Sequence, residues 1–318
     1  MVSRSNNGVR ETWTISIGVA IWMVLAILSG INWIRLDLIE VLFLMAPWII
    51  VPAGSVLITP VDRSPLSKFV LRPTLKTPVA AALATSSFFV PAGKLAGALA
   101  SLWFLLCLVL ACDGLLRFWN YRFGSFPQFC FAAGEGYVAV GGAWLVMSRL
   151  GLQPTGFVEP IVLLTAVHFH FAGFLSCIFA GLTYDRLRET AWAKPMWAVL
   201  LAVTCGPGLL GLAFLIGPKL KLFAAMLLAI GQVGLAIGMV RVAKTQPRGV
   251  PKVLLLASAL SVAAAMVFAA AWALGEFPLQ PMTDLSQMEH IHGVLNAAGF
   301  GFLGVLGWKG ITLAELRS

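Results

Sequence analysis

Stretches of about twenty apolar residues recur along this chain, separated by short polar breaks, and that spacing leaves little choice of fold. About twenty apolar residues in a helix cross a bilayer core of about 30 Å. In lipid every backbone N–H and C=O must be satisfied within the protein, which a helix does inside its own segment. Ten such stretches are read at 13–33, 36–59, 77–93, 95–113, 127–148, 157–183, 191–217, 222–243, 252–275 and 289–309. "VPAGK" (Val90 to Lys94) is read as a turn between two short spans, or as a break in a re-entrant pair. The expectation is an all-α, polytopic transmembrane helix bundle of about ten spans, a single transmembrane domain over residues 1–318. The longest polar stretch, residues 60–77, is too short to fold alone. Composition agrees. The chain is 59% hydrophobic and 11% charged, with a mean hydropathy of +0.91, whereas a soluble domain carries about 25% charged residues.

The formal charge of +9 is read through the positive-inside rule and not as a nucleic-acid surface. With the N-terminus in the cytoplasm, the inner segments hold the basic clusters: Arg63, Lys68, Arg72 and Lys76 in one, Arg241, Lys244, Arg248 and Lys252 in another, Arg117 and Arg122 in a third. The outer segments hold only Arg35, Lys94, Arg149, Lys219 and Lys221. This alternation supports both termini in the cytoplasm of a multi-pass membrane protein. The first apolar run follows a polar start without a clear cleavage signal and is read as a signal anchor. Five cysteines fall within apolar segments, with no Cys-x-x-Cys among them, and read as small buried hydrophobes.

Ionisable groups inside a bilayer are expensive, so their default reading is functional. Glu40, Asp113, Glu135, Glu159 and all four histidines fall in or at the edge of apolar segments. The histidines come only as two His-x-His pairs, His168/His170 in "TAVHFHFAGF" and His290/His292 in "MEHIHGVLNAAGF". His170 follows Glu159 by about eleven residues, roughly 17 Å at 1.5 Å per residue, and so lies near the midplane, as does Glu135. Glu40, Glu159, His290 and His292 lie toward the outer side. Asp113, at the inner edge, stands four residues before Arg117, an i,i+4 pairing distance. Residues i and i+2 point about 200° apart on a regular α-helix, so one histidine of each pair faces a given site. Asn296 is the natural i+4 companion of His292. Glu159 and Glu289 also fit plain helix N-terminal acids, and Pro47 and Pro52 a kink in the second span.

The stretches "LLTAVHFHFAGF", "HGVLNAAGFGFLG" and "IEVLFLMAPWIIVPAG" resemble the YndJ-like family of bacterial membrane proteins. The resemblance covers most of the chain and is specific at the two histidine motifs. It implies a multi-spanning membrane protein, in a family that includes longer chains. Its matching residues are Glu40, His168, His170, His292 and Asn296.

Three functions fit these residues. The first is an intramembrane enzyme acting on a lipophilic small molecule (an isoprenoid, a polyketide or a lipid), with membrane lipids as its surroundings. His170, His292, Glu135 and Glu40, with His168 and Asn296, would serve as acid–base groups. Alternatively His168, His170, His290 and His292 would hold a transition metal. The second is a proton- or ion-coupled transporter with Glu135 at its coupling site. The third is an electron carrier with haem held by one histidine of each pair.

Overall fold

The computed structural model describes residues 2–58, 76–122, 124–275 and 285–315, and among these there is no strand. The basic cluster at Arg63, Lys68 and Arg72 lies outside the described residues. Ten helical segments match the ten apolar stretches. They are α1 (Val2–Gly30), α2 (Leu38–Leu57), α3 (Lys76–Ser86, ending in a 3₁₀ turn Ser87–Phe89), α4 (Lys94–Tyr121), α5 (Phe126–Leu150), α6 (Ile161–Leu187), α7 (Ala193–Ile216), α8 (Pro218–Thr245), α9 (Val250–Gly275) and α10 (Met288–Glu315). Eight of them are long and apolar enough to cross a membrane; Ile15–Gly30 and Thr77–Phe89 are shorter apolar helices. The chain is an all-α, multi-pass membrane protein, and some of the spans drawn from hydropathy are too short, α4 above all. α4 runs on through Tyr121, well past the expected end at residue 113. Arg117 therefore belongs to a helix and not to a loop.

The helices change character where the sequence motifs fall. Ala46–Ile50 in α2, Phe169–Leu175 in α6, and Met288–Gly293 and Leu295–Phe302 in α10 are π-helical. Such wide turns are rare and are concentrated at functional sites. In α2 the cause is local. Pro47 and Pro52 bring no N–H to the i→i−4 ladder, and the expected kink takes the form of a π turn ahead of Val51–Leu57. Gly217, at φ 150°, turns α7 directly into α8, whose first residue is Pro218.

The chain packs into two compact units, Met1–Asn120 with Glu135–His170, and Tyr121–Gly134 with Phe171–Ser318. In the first, α1 meets α2 at a glycine. A Cβ on Gly18 would stand well inside contact distance of the Trp48 carbonyl oxygen, a backbone atom that no side-chain rotation can move. Trp48 in turn donates its indole N–H to Thr85 Oγ1 at 2.9 Å, tying α2 to α3. In the second unit α10 lies against α9 through small residues. A Cβ on Gly307 would meet the Leu255 backbone nitrogen at 2.9 Å, and Ser258 Oγ donates to Phe300 O at 2.8 Å. Small residues permit such close packing where lipid supplies no hydrophobic drive between helices. Gly18→Ala is expected to cost about 1–3 kcal/mol through overpacking, read as a lower midpoint of thermal unfolding in detergent. An unchanged midpoint would show that α1 stands off from α2.

Candidate functional site

His170 sits in the first unit, fully buried, in the π-helical part of α6. Its Nδ1 lies 2.8 Å from Ala166 O, and Trp103 Nε1 donates to its Nε2 at 3.1 Å. A carbonyl only accepts and an indole N–H only donates. The ring is therefore neutral, with the proton on Nδ1 and the lone pair on Nε2. Phe43 meets it edge-on at 5.4 Å, and the Trp103 ring lies nearly parallel to it at 6.1 Å. Gly141 makes room: a Cβ there would stand 2.5 Å from Nδ1. His168, two residues earlier, is exposed and places its Nδ1 2.7 Å from Leu164 O. The two point apart, as the i,i+2 spacing requires, although the segment is π-helical; but His168, expected to face a second helix and to serve with His170 as an acid–base group or metal ligand, is exposed while His170 is buried.

Glu135 is fully buried in α5, but its partner is not one that hydropathy suggests. Arg117 Nε donates to Glu135 Oε2 at 3.2 Å, with both side chains inaccessible. Asp113, one turn before Arg117 in α4, is buried as well. Hydropathy puts Arg117 in an inner loop because the apolar window closes at Asp113. The clue to its true place is the i,i+4 spacing of Asp113 and Arg117, which reads as one helix continuing.

Glu40 and Glu159 have local structural duties. Asp37 Oδ1 accepts from Glu40 N at 2.8 Å while Glu40 Oε2 accepts from Asp37 N at 3.0 Å, a complete capping box at the start of α2. "DLIE" before an apolar run carries that signature, and it is the plainest account of Glu40. Glu159 Oε2 accepts from Leu163 N at 3.1 Å, so this acid serves the N-terminus of α6. Asp37→Ala is expected to cost about 1 kcal/mol. Hydrogen exchange of the first-turn amides of α2 should quicken, and undiminished protection would show that the box contributes nothing.

In the second unit His292 is half-buried at the start of α10. Its Nδ1 lies 2.9 Å from Ala265 O of α9, and Asn296 Nδ2 lies 3.1 Å from its Nε2. The Asn296 amide also donates from Nδ2 to His292 O at 2.9 Å, which sets its orientation, because the alternative would bring two oxygens together. The i+4 pairing read from the sequence is thus present. His290 is exposed, with Nδ1 2.8 Å from Ser286 O.

All four histidines therefore share one arrangement, Nδ1–H on a backbone carbonyl, which leaves Nε2 as the basic atom. Among the described residues no group of three His, Cys, Asp or Glu side chains gathers in a way that could hold a metal ion. The residues present thus do not fit a three-ligand metal centre. A haem ligand needs a free ring nitrogen, and both nitrogens of His170 are engaged.

The model of the YndJ-like protein family matches residues 41–300. The chain is 27% identical over 215 residues to the uncharacterized membrane protein YndJ of Bacillus subtilis (strain 168), an alignment that takes in 67% of this chain and 38% of that relative. The chain thus spans well under half of the relative's length. No solved structure matches. The family match runs from α2 through both histidine motifs, and this chain belongs to the YndJ-like family.

Proposed function

We propose that this protein is an intramembrane acid–base enzyme of the bacterial inner membrane, acting on a lipophilic small molecule such as an isoprenoid, a polyketide or a lipid, with His292 as the group that exchanges protons. The observation that carries this is the difference between the partners of His170 and His292. Each has Nδ1–H held on a carbonyl and Nε2 accepting an N–H. The indole of Trp103 can only donate. A proton on His170 Nε2 would face another N–H, so His170 stays neutral while Trp103 is in place. The amide of Asn296 can turn its Oδ1 toward a protonated Nε2, at the cost of its bond to His292 O. His292 can therefore accept a proton and return it with its partner still in contact.

In such a reaction Nε2 of His292 takes a proton from the substrate and gives it back at another atom, leaving the enzyme unchanged. The Ala265 carbonyl holds the ring in one tautomer throughout, and His170 acts as a fixed neutral group. Glu40 and Glu135, both tied to local partners, shape the scaffold. The test is a comparison of apolar extracts from cells making the wild-type chain or His292→Ala, at matched amounts in the membrane. An apolar species that accumulates only in the variant, and is converted by wild-type membranes, supports an enzyme.

The second reading, a proton- or ion-coupled transporter, is favoured by the Arg117–Glu135 pair, since ionisable groups enclosed within spans mark ion pathways. Proteoliposomes loaded with a pH-sensitive dye separate the two. Proton flux that His292→Ala abolishes, with identical apolar extracts, replaces the enzyme by the transporter.

A further inference from the structure

We infer that the basic end of the second unit holds a binding site for an anionic phospholipid, seated between the end of α6 and the start of α7. A shallow, open cavity lies there, lined by Tyr184, Ala193, Lys194 and Trp197. Phe126 stands edge-on behind it, 5.8 Å from the Tyr184 ring and 6.1 Å from that of Trp197, and braces both walls.

The lining is made of donors and apolar surface. Tyr184 offers a hydroxyl, Lys194 an ammonium and Trp197 an indole N–H, and none of the three has a hydrogen-bond partner among the described residues. Among those residues no acid lines the cavity. Nearby acids are already engaged: Glu315 by Arg186, and Asp185 and Glu189 by Arg188, at 3.3 and 3.8 Å. Lys194 is left as a positive charge beside two aromatic side chains. Arg241 of α8, over the Trp192 ring at 4.3 Å, adds to the same basic end.

A phosphate group suits the Lys194 ammonium, and a basic pocket between spans at a membrane surface suits an anionic head group. The apolar walls favour a lipid over free phosphate. A glycerophospholipid sets its phosphate on Lys194 and its glycerol and first methylenes against Tyr184, Ala193 and Trp197. Tyr and Trp already favour this depth at the edge of the bilayer. The site does not depend on the chemistry proposed for His292.

The experiment uses the full chain in phosphatidylcholine vesicles doped with phosphatidylglycerol bearing brominated acyl chains, which quench nearby tryptophan. The signal of Trp197 is the difference between the wild type and Trp197→Phe. It should be quenched at an about fivefold lower mole fraction of brominated phosphatidylglycerol than of brominated phosphatidylcholine, the preference that one basic residue near an anionic surface confers. Lys194→Gln should erase the preference and Lys194→Arg should keep it. Lys194 is exposed, so neither change threatens the fold. Equal quenching by the two lipids in the wild type would overturn the site. So would a preference that survives Lys194→Gln. Relief of the quenching by soluble glycerol phosphate would also overturn it, in favour of a site for a free phosphate.

Discussion

Glu135→Ala should be the most damaging single change in the first unit, lowering stability by about 3–5 kcal/mol. The carboxylate lies against Arg117 with neither side chain reached by solvent. Removing it takes the negative charge from beside an enclosed guanidinium, which does not deprotonate in proteins. The enclosure makes the loss large; an exposed ion pair contributes only about 0–1 kcal/mol. Replacing both partners, Arg117→Met with Glu135→Leu, should restore part of the stability, because a buried pair exchanged for apolar side chains of similar volume is often neutral while the buried Asp113 one turn away stays in place. The measurement is the unfolding midpoint in detergent for the two single variants and the double variant. If Glu135→Ala unfolds like the wild type, the pair is not enclosed as described. If the double variant is stable and also active, the pair has no part in the reaction, and the transporter reading loses its support.

His292→Ala should lower turnover by about 10²–10⁴-fold, the usual contribution of a positioned general base, while the protein stays folded and in the membrane. The ring is half-buried, with Ala265 and Asn296 beside its nitrogens, so its loss is tolerable for the fold. Asn296→Leu should fall between the wild type and His292→Ala, because it removes the amide that meets Nε2 but leaves Nδ1–H on Ala265 O. His170→Ala should behave differently, destabilising the first unit by removing the acceptor of the buried Trp103 N–H. Trp103→Phe separates the roles. It deletes that N–H, and if His170 is only a fixed neutral group, activity should drop by less than about tenfold, well short of the effect of a general base. Full turnover in His292→Ala would end the proposal for this residue.

Several of these features are legible in the residues themselves. The Asn296 companion of His292 follows from i+4 spacing, the opposite facing of His170 and His168 from i+2 spacing, and the N-terminal role of Glu159 from its place before "IVLLTAV". Others are present in the sequence but are masked by a reading of hydropathy alone. "DLIE" marks the capping box that occupies Glu40, and the spacing of Asp113 and Arg117 shows α4 continuing past the point where mean hydropathy falls. The π-helical turns have no such signature. They depend on where a helix takes up an extra residue against its neighbours, and neither hydropathy nor the α-period carries that.

Segment length and apolar content are enough to make this a multi-pass helical membrane protein, to set which helices it forms, and to put its histidines within two of them. A bilayer admits few ways of satisfying a backbone, so these properties need no knowledge of packing. What the polar groups do is a matter of tertiary contact. Packing sets Trp103 against His170, Arg117 against Glu135 and Ala265 against His292, pairs separated by 67, 18 and 27 residues in the chain. Such partnerships arise from how helices meet, and they set the hydrogen-bond surroundings of each polar group.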